Sequence, residues 1–451
     1  RLGKTTFSGN TIVEKSEFKA EFNLNENDPF NRSVLISSVS AMKDLLSEQG
    51  YAFAEINPVT SIDDVAHTID VNFVVEPKER VYIRHIEVEG NTRTRDYVIR
   101  REFRQMEAAP YSLKNVRLSQ KRIERLGFFK SAKIETKRVS EDQADLIVRI
   151  EEQPTGSFTA GIGFSQLEGA SYNIGVSERN VVGTGNKLDF NIASSSAKKS
   201  ADIGLTNPYF SQAGLSLGGK FYLSEIDAEE LEVADYSVNN MGAKVTLGYP
   251  LNETDRISTG LAIDSQELIC SSTFSFCDDF ISENGDQFDS LKLTLGWRHN
   301  STNAFYFPSK GHDTSLNLEA VVPGTSNTPY YKVYANESYY QPITNKLSLM
   351  AKAGLAFGDG FGDLDDLPFF EKFYAGGIGT IRGFEPNSLG GRYDYDVDGS
   401  DRPKGGSARF TSTLALNMPV PFIDDSSNQR ISFFVDSGAL YDSVSEVDVA
   451  D

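Results

Sequence analysis

The sequence predicts two α+β repeats followed by an all-β antiparallel barrel whose strands cross a membrane. Three features of the 451-residue chain carry that prediction. Residues 1–153 repeat themselves with a period of about 75–80 residues. From residue 154 the apolar period changes from helical to two. The alternating segments, about thirteen of them and many near ten residues long, are joined alternately by short turns and long polar loops, as strands of a membrane barrel are.

The repeat is visible residue by residue. Phe7-Ser8-Gly9-Asn10 returns as Val88-Glu89-Gly90-Asn91, Gln49-Gly50-Tyr51 as Leu126-Gly127-Phe128, and Ile69-Asp70-Val71 as Ala144-Asp145-Leu146. Modules are therefore expected over 1–79 and 80–153. In the first, Leu35, Val39, Met42 and Leu46 line one helix face; Val116, Ile123 and Leu126 do the same more weakly in the second. Gly50 and Gly127 stop these helices, and a β-like segment follows each. The order strand, helix, helix, strand, strand, with both helices on one face of a small sheet, fits each module. Within the second, the charged run from Arg100 through Arg101 to Glu107 reads as a solvated helix face.

The third domain is expected over 154–451. From Leu291 to Arg298 every odd residue is apolar; Ala243, Val245, Leu247 and Tyr249 alternate with Lys244, Thr246 and Gly248; residues 347–357 behave similarly. A soluble sandwich shares this alternation, so the number of segments and the link pattern select the barrel. Short links at 182–186, 250–255 and 342–346 fall on one side, which in an outer-membrane barrel is the periplasm. Long links at 224–237, 266–287 and around 373–384 fall on the other. That order puts Cys270 and Cys277 outside the cell. Their spacing is not CxxC and no histidine is near, so they are either a disulfide staple of an oxidising compartment or two free thiols. Tyr209, Phe210, Phe305, Tyr306 and Phe307 near strand ends fit aromatic girdles.

Composition narrows the function classes. The net charge of -20 opposes a general nucleic-acid binder, and no run of about 18 apolar residues offers a helical span. The chain opens at Arg1 without an initiator Met or a signal peptide, so it reads as a processed or cut fragment. Gly214-Leu215-Ser216-Leu217-Gly218 matches GxSxG, but Ser216 falls inside an alternating strand rather than on a strand-to-helix elbow. Asp394, Asp396, Asp398 and Gly399 resemble the start of a calcium loop, yet the twelfth position, where Glu belongs, is Gly405. His67, His85, His299 and His312 show no metal-ligand spacing. Neither enzyme chemistry, a metal nor a cofactor is expected.

A different feature carries the candidate site. In the strand ending near Gly438, Ile431, Phe433 and Val435 form the apolar face, so Asp436 faces the lumen. A loop carrying Arg382 into the lumen would meet Asp436 there, through two parallel hydrogen bonds. Ala415, on the lumen face of the preceding strand, supplies no second carboxylate. Such a pair either stiffens the barrel or gates it. The first barrel strand includes Phe158, Ala160, Gly161, Ile162 and Gly163, whose glycines weaken it. A lateral seam between it and the last strand is the easiest place to open. The exposed edge would accept a client strand by augmentation, with no nucleotide required.

The Gly-rich stretch Phe373–Phe384, ending Ile381-Arg382-Gly383-Phe384, resembles the (V/I)RGF loop of Omp-type outer-membrane assembly and secretion transporters, in particular the BamA family of outer-membrane protein assembly factors. The segments Arg104-Gln105-Met106-Glu107, Leu126-Gly127-Phe128-Phe129 and Asn207-Pro208-Tyr209-Phe210 are similar to the same branch. The two modules look like polypeptide-transport-associated (POTRA) domains, which implies capture of extended polypeptide at a sheet edge; a plain spacer is the other reading. The resemblance implies the central component of an assembly machinery, folding and inserting β-barrel proteins into the outer membrane through the seam, with the N-terminal modules in the periplasm. It implies outer-membrane lipoprotein partners docking at Arg100, Arg101 and Glu107, unfolded β-barrel clients, periplasmic chaperones and the lipid bilayer, and no nucleic acid. It also implies the pairing of Arg382 with Asp436. Family barrels have about sixteen strands and close an even number, so about three strands are expected beyond Val447-Asp448-Val449-Ala450-Asp451. A two-partner secretion transporter shares the barrel and two modules. A passive porin or receptor is an alternative of another class.

Overall fold

The computed structural model describes residues 1–22, 24–165, 168–271, 274–304, 307–344, 346–362, 364–394, 401–420 and 429–443. They form two compact units, the first comprising Arg1–Thr155 with Asn180–Gly185, the second Gly156–Arg179 with Asn186–Asp451.

The first unit contains both repeats. One has strands β1 (Leu2–Gly9), β2 (Glu55–Asp63) and β3 (Thr68–Glu76) in the order β1-β3-β2, with helices α1 (Lys15–Ala20) and α2 (Arg32–Glu48). The other has β4 (Tyr82–Glu89), α3 (Asp96–Arg100), α4 (Leu113–Arg125), β5 (Phe129–Arg138) and β6 (Gln143–Glu152), ordered β4-β6-β5. Asn31 caps α2 by accepting the Ser33 N–H at 2.9 Å, and Ser112 caps α4 through the Asn115 N–H at 3.3 Å. Each satisfies a donor the helix leaves open. The apolar helix faces then meet the sheets: Leu35, Met42 and Leu46 share a core with Val71, Phe73 and Val75, and Val116 and Ile123 share one with Ile83, Leu146 and Val148. Gly50 and Gly127 sit at φ +100° and +69°, where a glycine ends a helix without strain.

The charged run differs from its sequence reading. Helix α3 stops at Arg100 and gives way to a turn, because Phe103 enters the core while Glu102 and Gln105 are buried beside it. Glu102 pairs with Arg122 at 3.0 Å. The Gln105 amide donates to Pro110 O at 2.9 Å and accepts the Ser112 N–H at 2.9 Å. The run is a folded-in corner of the module, not a solvated helix face.

Among the described residues, the second unit forms one antiparallel sheet of thirteen strands and a separate two-stranded hairpin. In chain order these are β7 (Gly156–Ser165), β8 (Gly169–Glu178), β9 (Lys187–Ser194), β10 (Lys198–Asn207), β11 (Ser216–Asp227), β12 (Tyr236–Pro250), β13 (Asp255–Cys270), β14 (Gln287–Asn300), β15 (Gly311–Val321), β16 (Tyr330–Pro342) and β17 (Ser348–Gly360). A hairpin of β18 (Arg392–Asp394) and β19 (Asp401–Pro403) precedes β20 (Ala408–Pro419) and β21 (Arg430–Tyr441), and helix α5 (Ser275–Asn284) lies between β13 and β14. The faces are inverted relative to a water-soluble sheet. Phe158, Ile162, Ile263, Phe433 and Val435 point outward and are exposed, whereas Asp264, Lys292, Lys332 and Asn417 are buried on the other face. An apolar exterior with a polar interior is what strands in lipid require.

Strands β12 and β13, at 15 and 16 residues, run further than the links at 224–237 and 266–287 suggest. Their outward polar groups pair across strands, Asn239 of β12 with Glu267 of β13 at 3.1 Å and Ser265 of β13 with Asp289 of β14 at 2.6 Å, so the ladder continues past the apolar band. Ser216 opens β11 rather than lying within it, and its hydroxyl donates to Gly248 O at 3.1 Å. Phe305 and Tyr306 of the girdle, Asp396 and Asp398 with Gly399 of the calcium pattern, and residues 447–451 lie outside the described residues.

Candidate functional site

The described part of the link between β17 and β20 lies against the inner face, and its glycines explain how. Gly376 and Gly377 adopt φ +114° and +85°, in the left-handed region, and Gly383 does so at +93°. The Thr380 hydroxyl accepts the Gly376 N–H and donates to Gly376 O, both at 2.8 Å, closing a tight turn that presents Ile381 and Arg382 to the wall.

At the tip, Arg382 Nε donates to Asp436 Oδ2 at 2.6 Å and Nη2 to Oδ1 at 2.7 Å; the Arg382 N–H adds a third bond at 3.1 Å. The paired donors of a guanidinium match a carboxylate in this way, and the charge strengthens each bond. The Thr413 hydroxyl donates to the same carboxylate at 2.8 Å, and the Phe434 ring lies under the guanidinium with its centroid 3.2 Å away. Asp436 has 3% of its side chain exposed and Arg382 35%. Ile381 packs on Gly438, where a side chain would collide with it. Phe384, by contrast, is exposed. Sequence reasoning missed Phe434 and Thr413. Phe434 shares the face of Asp436 two residues away, so period two alone reveals it; Thr413 requires the β20–β21 register, in which it lies opposite Asp436. Ala415 is buried on the same face and brings no charge.

Among the described residues β7 pairs only with β8 and β21 only with β20, so these two strands are the edges of the sheet. Phe158, Ala160 and Ile162 share the outward face of β7 and are exposed; Gly161 and Gly163 turn inward toward Asn173 and Ser171 of β8. Of the docking candidates, Arg100 and Glu107 are accessible and lie 3.5 Å apart, and Glu107 also accepts the Ile86 N–H at 2.8 Å. Arg101 is turned inward, with 14% of its side chain exposed. Met106 between them is exposed. Cys270 and Cys277 are joined in a disulfide with Cα atoms 5.7 Å apart, tying α5 to the end of β13. Phe280 of that helix and Phe274, which precedes its first turn, pack on Phe369 at the root of the arginine loop. Among the described residues no group of His, Cys, Asp or Glu could hold a metal ion, and no helix is long and apolar enough to cross a membrane.

Comparison with known proteins matches residues 180–450 to the Omp85 superfamily domain and residues 1–78 and 81–153 to the POTRA model, described as a surface antigen variable number repeat. The outer membrane protein assembly factor BamA of Neisseria meningitidis serogroup B is 30% identical over 98% of this chain and 57% of its own length. That of Nitratidesulfovibrio vulgaris is 30% identical over 99% of this chain and 55% of its own. The chain thus spans a little over half the length of these relatives. The crystal structure of BamA from Haemophilus ducreyi lacking POTRA domains 1–3 is similar, with a TM-score of 0.77 at 30% identity over 98% of this chain and 87% of that one.

Proposed function

This chain belongs to the Omp85 superfamily, with POTRA repeats ahead of the barrel domain, and from that premise we propose that it folds and inserts β-barrel proteins into the outer membrane. The assembly-factor relatives that match nearly the whole chain support this reading. One observation carries its mechanism: a Gly-rich loop is fixed to the inner wall by the Arg382–Asp436 pair. An internal brace of this kind keeps the wall ordered while an edge such as β7 is unpaired. A client strand then satisfies the N–H and C=O groups of that edge, which lipid cannot. The client's own folding into lipid supplies the free energy, so the role calls for neither catalysis nor a cofactor.

In this scheme the barrel sits in the outer membrane and the POTRA repeats in the periplasm, where chaperones deliver unfolded clients. Arg100, Met106 and Glu107 form the accessible part of a lipoprotein docking corner; Arg101 supports it from within. The test is folding of a β-barrel client into liposomes containing this protein, with a photo-crosslinker replacing Thr159 on β7. Acceleration of client folding together with crosslinks to the client supports insertion at the seam. Unchanged client folding with export of a secreted polypeptide would replace it with the secretion-transporter reading, and ion flux alone with the porin reading.

A further inference from the structure

The root of the arginine loop carries a second clamp of opposite polarity. Glu371, eleven residues before Arg382, projects from the short turn Phe369–Glu371 into the inner wall. Its carboxylate accepts Gln266 Nε2 from β13 at 3.0 Å and the Lys332 ammonium from β16; Lys292 of β14 stands 4.0 Å away. Both lysine side chains are 8% exposed and that of Glu371 is 14% exposed. Lys292 also holds Asp264 at 3.2 Å, and Asp264 accepts the Tyr222 hydroxyl. Between root and tip, Phe373 lies beneath Lys332 and Arg409, and Arg409 donates to Tyr374 O at 2.9 Å.

We infer that Glu371 is a positioning residue for Arg382: three wall strands hold the loop's root by the Glu371 carboxylate, and this places the tip where Asp436 can take the guanidinium. The inference rests on the reading of the loop as the barrel's internal brace. Burying two ammonium groups without a counter-charge is costly, so lysines at 292 and 332 make sense only if carboxylates meet them there. Burial opposes the charge on Glu371, but Lys332 and Lys292 outweigh it and lower its pKa to about 2, so it is ionised throughout the working range. The segment from 372 to 381 contains three glycines and no regular strand, so it does not transmit position by stiffness. Tethering the root shortens the free chain, which raises the effective concentration of Arg382 at Asp436.

The test uses the protein in liposomes, with spin labels at Ile378→Cys on the loop and Ser437→Cys on the outward face of β21; the two native cysteines are bonded and do not react. The wild-type background is expected to give one narrow distance. Glu371→Gln keeps the shape and loses the charge; it is expected to broaden the distribution and to slow client folding about tenfold, the loss appropriate to a charge-assisted bond. Glu371→Asp, which keeps the charge, is expected to restore the narrow distance. An unchanged distribution in Glu371→Gln overturns the inference. So does a broad one that Glu371→Asp fails to narrow, because side-chain shape rather than charge would then set the loop. If Arg382→Ala leaves client folding intact, the functional reading fails, while the distance distribution still decides the role of Glu371.

Discussion

Removing the guanidinium of Arg382 is the sharpest perturbation of the brace. Arg382→Ala deletes the bonds of 2.6 and 2.7 Å to Asp436 and the contact with Phe434, and leaves only the backbone N–H at 3.1 Å and the Thr413 hydroxyl on the carboxylate. Breaking a fully buried ion pair in this manner costs about 3–5 kcal/mol. Arg382 has 35% of its side chain exposed, so water recovers part of that, leaving about 2–3 kcal/mol. The ratio of seated to unseated loop then falls roughly 30- to 150-fold. Asp436→Asn keeps the shape and removes the charge, and is expected to cost nearly as much. The assay is the rate of client folding into liposomes for wild type, each single variant and the double variant. Two side chains acting as one unit give a double variant no slower than the worse single, a coupling of about 2 kcal/mol. Losses that multiply would falsify the clamp, since each residue would then act on its own.

The periplasmic unit offers further tests. Glu107→Lys removes the acceptor of the Ile86 N–H and places a cation beside Arg100; co-purification with the proposed lipoprotein partner is expected to drop at least tenfold at physiological salt, about 1.4 kcal/mol, and undiminished recovery removes this corner from the proposed docking surface. Glu152 accepts the N–H groups of Thr92, Arg93 and Thr94 and the Thr92 hydroxyl. Partial burial raises its pKa, the Thr92 and Thr94 bonds more than compensate, and the result is about 2. A folded-state pKa below the unfolded value means stability that is full above about pH 4.5 and disappears as pH falls toward 2. Glu152→Gln is therefore expected to lose about 1 kcal/mol at pH 7, after allowance for solvent screening, and nothing near pH 2. Urea-dependent proteolysis of the periplasmic unit measures this, and a pH-independent difference between the two proteins contradicts it.

Period and repetition are written into the chain locally, and they account for what is legible without any tertiary contact. The two modules can be read because a helix must turn one apolar stripe to its sheet, which writes Leu35, Met42 and Leu46 at fixed spacing. The change to period two at residue 154 marks strands with two unlike faces. Because that period fixes facing without knowledge of register, Asp436 is recognisable as an inward carboxylate opposite Phe433 and Val435; Arg382, in a loop without a period, is named as its partner by the Gly-rich loop and the family resemblance. Other features exist only once the chain is folded. Thr413 meets Asp436 only through the β20–β21 register. Lys292, Lys332 and Gln266 converge on Glu371 from three strands whose sequence positions say nothing of their proximity. The charged corner after Arg100 turns inward because Arg122 of α4 neutralises Glu102 there. Local pattern records which way a side chain faces, since that is a property of one element in its solvent. Which charges meet depends on how distant elements are brought together, and no short-range periodicity carries that information.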